Sequence, residues 1–118
     1  MGMFRKDSAN AAIDSLLGAR TRIQGDLAFA GGLHLDGAVT GNVKPEGEGS
    51  TRLVIGESGV IEGSCEAHVV ELHGTVKGDI TGRLRVVLGP KARVEGNLLY
   101  GAVEMAAGAA IKGKMVKL

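Results

Sequence analysis

Aromatic side chains are nearly missing from this chain: 118 residues include no tryptophan, one tyrosine and two phenylalanines. That excludes the usual core of a domain this size, in which a few large rings carry much of the buried area. The interior must instead be Leu, Val, Ile and Ala, which suits a narrow space filled by stacked aliphatics. Cysteine is equally scarce. Cys65 stands alone, so no disulfide can close within the chain and a reducing compartment is expected. No apolar run approaches the ~20 residues of a membrane-spanning helix. Met1 to Lys6 is basic, but no signal-peptide hydrophobic stretch follows it, so the expected location is the cytoplasm. Neither sign of charge dominates, since 14 basic against 13 acidic residues leave a formal net charge of +1. A nucleic-acid partner, which would call for a basic excess or patch, is not expected.

What the chain has in quantity is glycine, 20 residues of it. The glycines are dispersed, which excludes both a flexible linker and the every-third-residue pattern of collagen. Six of them sit in one recurring phrase, apolar, polar, Gly, polar, apolar. The copies start at Ile23, Val39, Ile61, Val76, Val94 and Ile111, and their glycines (Gly25, Gly41, Gly63, Gly78, Gly96, Gly113) are 16, 22, 15, 18 and 17 residues apart. That period is below a helical repeat and close to one coil of a β-solenoid. A unit this short cannot bury its apolar side alone, so it must stack on its neighbours.

The hydrophobic period agrees. Between Ile23 and Val43 every large apolar residue is odd-numbered, which is strand alternation with one buried face. The odd phase largely continues through Leu53, Ile55, Ile61 and Val69. It slips to even for Leu72, Val76, Ile80, Leu84, Val86 and Leu88, and is odd again at Val103, Met105, Ile111 and Met115. Each slip should fall at a corner or bulge, and Gly37, Gly74, Gly89 and Gly101 are candidate corners because glycine accepts positive φ. The long interval holds Lys44 to Ser50, read as a loop extruded from one coil, with Pro45 leaving the sheet. In register, the position before each Gly reads Gln24, Thr40, Glu62, Lys77, Glu95, Lys112, whose last four alternate in sign as neighbours on an outer surface. The fold expected is all-β, one parallel β-helix of about six coils over residues 21–118. Residues 1–20 read as a flexible tail, with Ile13, Leu16 and Leu17 spaced as in one short amphipathic helical turn.

The repeated Ile/Val-x-Gly-Asp/Asn-Leu/Ile/Val phrase, following a Met-Phe-Arg-Lys tail, resembles the bactofilins, bacterial polymer-forming cytoskeletal proteins. The resemblance covers residues about 20 to 118. It implies a right-handed β-helix of triangular section that assembles end to end into nonpolar filaments without nucleotide. It also implies attachment to the inner face of the cytoplasmic membrane by the N-terminal tail, here Met3, Phe4, Arg5 and Lys6, and scaffolding of cell-wall enzymes, shape determinants or polarity proteins. The residues support a polymer independently. The last coil reaches Leu118 without a capping helix, and the first exposes an apolar edge. The expected subunit interface is Ile23, Leu27, Leu33 and Leu35 at one end, and Ile111, Met115, Val116 and Leu118 at the other.

Catalytic and cofactor chemistry is not expected. Cys65, His68 and His73 are the one cluster of metal-ligand types, but Cys65 falls in an inward apolar column. His34 lies between Leu33 and Leu35 and should point outward. No nucleophile elbow or phosphate loop occurs, and Glu46 and Glu48 lie in the loop, a poor frame for paired-carboxylate chemistry. The rival reading is a trimeric β-helix enzyme of the acyltransferase or carbonic anhydrase type. Those use strict six-residue repeats, which the glycine intervals here do not follow.

Overall fold

The computed structural model describes residues 13–118. They form sixteen strands and, among the described residues, no helix: β1 (Ile13–Leu17), β2 (Arg22–Gln24), β3 (Leu27–Phe29), β4 (Gly32–Leu35), β5 (Ala38–Thr40), β6 (Val43–Pro45), β7 (Arg52–Ile55), β8 (Val60–Glu62), β9 (Cys65–Leu72), β10 (Thr75–Lys77), β11 (Ile80–Leu88), β12 (Arg93–Glu95), β13 (Leu98–Tyr100), β14 (Val103–Met105), β15 (Ala110–Lys112) and β16 (Met115–Lys117). Every pairing is parallel, and the strands line three faces of a solenoid. The first face runs β1, β4, β7, the second halves of β9 and β11, then β14. The second runs β2, β5, β8, β10, β12, β15. The third runs β3, β6, the first halves of β9 and β11, then β13 and β16. Because β9 and β11 each turn a corner, the sixteen strands complete six turns of three.

The core is three sets of aliphatic columns. Leu17, Leu35, Ile55, Leu72, Leu88 and Met105 stack on the first face. Ile23, Val39, Ile61, Val76, Val94 and Ile111 stack on the second. Leu27, Val43, Cys65, Ile80, Leu98 and Met115 stack on the third. In the middle coils these side chains are 0–2% exposed. Each coil is buried only by the coils above and below, so burial falls away at the two ends.

The recurring phrase builds the corner between the second and third faces. At Gly63 φ is +145°, and a Cβ there would overlap the carbonyl oxygen of Gly41 in the coil before. Glycine is required there by space as well as by φ. The next position makes a side-chain ladder. Asp26 Oδ1 accepts the Asn42 N–H at 3.0 Å, Asn42 Oδ1 accepts the Ser64 N–H at 3.1 Å and the Ser64 hydroxyl at 3.0 Å, and Asp79 Oδ1 accepts the Asn97 N–H at 2.9 Å. Asn97 Oδ1 completes the pattern by accepting the Lys114 N–H at 3.1 Å. Each rung satisfies a corner N–H that regular strand pairing leaves aside. Asn42→Ala removes the acceptor of two bonds and should lower stability by about 1–2 kcal/mol in urea unfolding, against under ~0.5 kcal/mol for Lys44→Ala in the exposed margin.

Several sequence expectations change. Residues 13–17 form a strand, not a helical turn, so the solenoid begins inside the segment read as a tail. A lone short helix is marginal, whereas the edge of β4 offers this segment backbone partners and a place to bury Leu17, 4% exposed, while Leu16 faces outward. The four candidate corner glycines lie at bends or strand ends, but none has positive φ. What excludes a side chain is close approach: a Cβ would overlap the carbonyl of Thr21 at Gly37, of Gly59 at Gly74 and of Arg83 at Gly101, and the His73 ring at Gly89. Pro45 stays in β6 opposite Phe29, and the loop is 46–51. The Glu62–Lys77 and Glu95–Lys112 neighbours are in register. Among the described residues, however, ion pairs form elsewhere, including Arg52–Glu71 and Arg83–Glu66.

Candidate assembly interface

The ends of the stack are where strand edges remain open. Among the described residues, β1, β2 and β3 have no partner on their outer side at the N-terminal end, and β14, β15 and β16 have none at the C-terminal end. Unpaired parallel edges over an apolar layer are a template for another chain. The two ends differ in exposure. At the N-terminal end Leu17 is buried and Ile23 and Leu27 are half-buried. At the C-terminal end Met105 is 47%, Met115 40%, Val116 45% and Leu118 54% exposed, beside the partly buried Ile111. Lys112, Lys114 and Lys117 surround this apolar end.

The sequence placed Leu33 and Leu35 on the N-terminal edge, and the structure corrects this. Both are 0% exposed, because Ser15 and Leu17 of β1 pair above them. Ile23 and Leu27 do lie in the terminal layer, as do Ile111 and Met115 at the opposite end. Met105 is the member that sequence reasoning missed. Its odd-phase position after Val103 was the signal, since register with Leu88 puts it in the last layer of the first face. Met3, Phe4, Arg5 and Lys6 lie outside the described residues.

The groups with chemical potential are spread apart. Cys65 is buried in the third-face column, and desolvation pushes its thiol up to about 12, far from a thiolate. His68 stands at the loop, where Nδ1 accepts the Thr51 backbone N–H at 3.2 Å and the His68 backbone N–H donates to Thr51 Oγ1 at 3.1 Å. These bonds anchor the chain where it re-enters the sheet after 46–51. His73 shares the Glu71 carboxylate with Arg52, each at 2.8 Å. The His73 hydrogen bond, then Arg52, holds the Glu71 carboxyl below its usual range. His34 points outward and bonds Asp36 at 3.0 Å. No set of three or more His, Cys, Asp or Glu converges among the described residues.

Comparisons with known proteins agree with this geometry. The family model for bactofilin, described as polymer-forming cytoskeletal, matches residues 15–116. No curated protein matches the chain. A solved structure, the cryo-EM reconstruction of Thermus thermophilus bactofilin double helical filaments, is similar at 34% identity with a TM-score of 0.76, covering 87% of this chain and 98% of that one. A stack of six parallel coils with two open apolar ends, matched along almost its whole length by that model, belongs to the bactofilin family of polymer-forming cytoskeletal proteins.

Proposed function

We propose that the chain is a structural protein rather than an enzyme, and that it adds end to end without nucleotide, like end against like end. Two such strands would then wind together, as in the double helical Thermus filament. The observation that carries the reading is the C-terminal end, where four apolar side chains are 40–54% exposed beside three open strand edges. Strand pairing and apolar burial drive this contact, and neither step needs a nucleotide. The side-chain ladder supports the like-to-like arrangement. Asp26, Asn42, Asp79 and Asn97 each lend a side-chain oxygen to the next coil, whereas the last coil carries Lys114, whose side chain has no acceptor. A head-to-tail continuation would set the Asp26 N–H against that lysine.

The remaining roles concern residues 1–6 and the partners. We read Met3 and Phe4 as inserting at the inner face of the cytoplasmic membrane while Arg5 and Lys6 meet anionic headgroups, each cation contributing ~1 kcal/mol. One tail is weak, but a filament displays many and gains avidity. The membrane-bound filament then scaffolds cell-wall enzymes, shape determinants or polarity proteins. Negative-stain electron microscopy without nucleotide or metal should show thin unbranched filaments, and discrete particles would overturn the polymer. Deleting residues 1–6 should abolish co-sedimentation with anionic liposomes and leave filaments intact. Retained liposome binding would move the anchor elsewhere.

A further inference from the structure

The first face carries an outward surface that the end contacts leave free. Register puts its outer side chains in two columns. One holds Arg52, Val69 and Arg85 on successive coils. The other, two residues further along the same strands, holds Val54, Glu71, Val87 and Glu104. From β7 onward one column therefore alternates arginine with valine and the other valine with glutamate, the second continuing back through His34 towards the N-terminal end. The in-chain pairs Arg52–Glu71, at 2.8 Å, and Arg85–Glu104, at 3.4 Å, each span two coils. A shallow groove runs between, lined by Arg52, Val69, Glu71, Leu84, Arg85 and Val87. Leu84 is 58% exposed at its margin. It stands there because β11 spends one more residue than β9 on the corner, between Gly82 and Arg85. No core need explains so exposed a leucine on a sheet face.

We propose that this face pairs with the same face of a second copy about a two-fold axis parallel to the rod, joining two strands of the polymer side by side. The proposal rests on the end-to-end polymer described above. Charge selects both the occupant and the axis. An isologous contact places one patch against itself. An axis along the rod sets the arginine column of one copy against the glutamate column of the other. Arg85 then faces the second copy's valine at position 87, with glutamates 71 and 104 of that copy one coil to either side. An axis across the rod would instead set arginines against arginines and glutamates against glutamates, which like-charge repulsion disfavours. Val69 and Val87 supply the apolar centre, and Leu84 gains the cover it lacks in the single chain.

The test is filament width and mass per unit length by electron microscopy of the full-length chain. Wild type should give filaments two rods wide. Leu84→Asp and Glu104→Arg, both at exposed positions, should give filaments one rod wide with about half the mass per unit length, while the fraction pelleted stays unchanged. Lys77→Glu, on the second face, should leave paired filaments. Paired filaments in both first-face variants, or single filaments from wild type, would overturn the pairing and leave the polymer standing. Tighter pairing in Glu104→Arg would overturn the axial two-fold, since it is the result expected when glutamates face glutamates. Wild type without filaments would remove the polymer reading itself.

Discussion

Met115→Arg should replace filaments by dimers. Met115 stacks on Leu98 alone and is 40% exposed in the single chain, so an arginine stem can lie along that surface without disturbing the fold. In a closed end contact the guanidinium would be trapped beside Lys112, Lys114 and Lys117 with no partner. An uncompensated charge in such a place costs roughly 3–5 kcal/mol, which weakens the contact by about 10²- to 10⁴-fold. A linear polymer forms only above a concentration close to the dissociation constant of its end contact, so filaments disappear at ordinary protein concentrations. The product distinguishes two arrangements. If like ends meet, the undamaged N-terminal end still pairs and sedimentation velocity shows dimers. If unlike ends meet, every contact contains one damaged end and monomers result. Filaments at wild-type concentrations would place the contact away from Met115.

Gly63→Ala should unfold the chain or leave it barely stable. The methyl group meets a φ of +145° and the carbonyl oxygen of Gly41 together. Backbone strain of this kind costs roughly 1–3 kcal/mol by itself. Relieving the overlap means lifting one coil from the next, which loosens the columns through Ile61 and Cys65 as well. A total above ~3 kcal/mol is a large part of the 5–15 kcal/mol that holds an ordinary domain. Gly18→Ala is the control, since nothing lies within 4 Å of the added carbon and φ is not positive. It should change stability by under ~0.5 kcal/mol. Urea unfolding is best read in the Met115→Arg background, because self-association would add its own concentration-dependent stability. Equal midpoints for the two alanine variants would mean that the glycine column is dispensable.

The corner between the second and third faces was fully legible in the sequence, because it has the same length in every turn. Four residues separate Ile23 from Leu27, and the same spacing recurs from Ile111 to Met115. The corner between the third and first faces was not. The step from the last inward residue of one face to the first of the next is three residues from Ala67 to Val70 but four from Gly82 to Val86. Alternation carries no mark for such a change. Val69 therefore read as inward when it is half-exposed beside a buried Val70, and Leu84 read as core when it stands in solvent. The first strand was hidden for a different reason. Ile13, Leu16 and Leu17 fit a helix as well as a strand, and what decides between them is the edge of β4, a partner about 18 residues away in sequence that no local pattern reports. Half of the N-terminal interface was misassigned for the same reason, since β1 is what covers Leu33 and Leu35.

The described strands run from β1 on the first face to β16 on the third, which makes whole revolutions. Removing or duplicating one revolution, a segment of 15–18 residues between most neighbouring phrase glycines, would shorten or lengthen the subunit without rotating one end against the other. Both terminal surfaces would keep their azimuth and their contacts. A gene of this kind can change the spacing of its polymer in fixed increments while preserving how subunits join, much as a ruler can be cut at any division and still be laid against its neighbour.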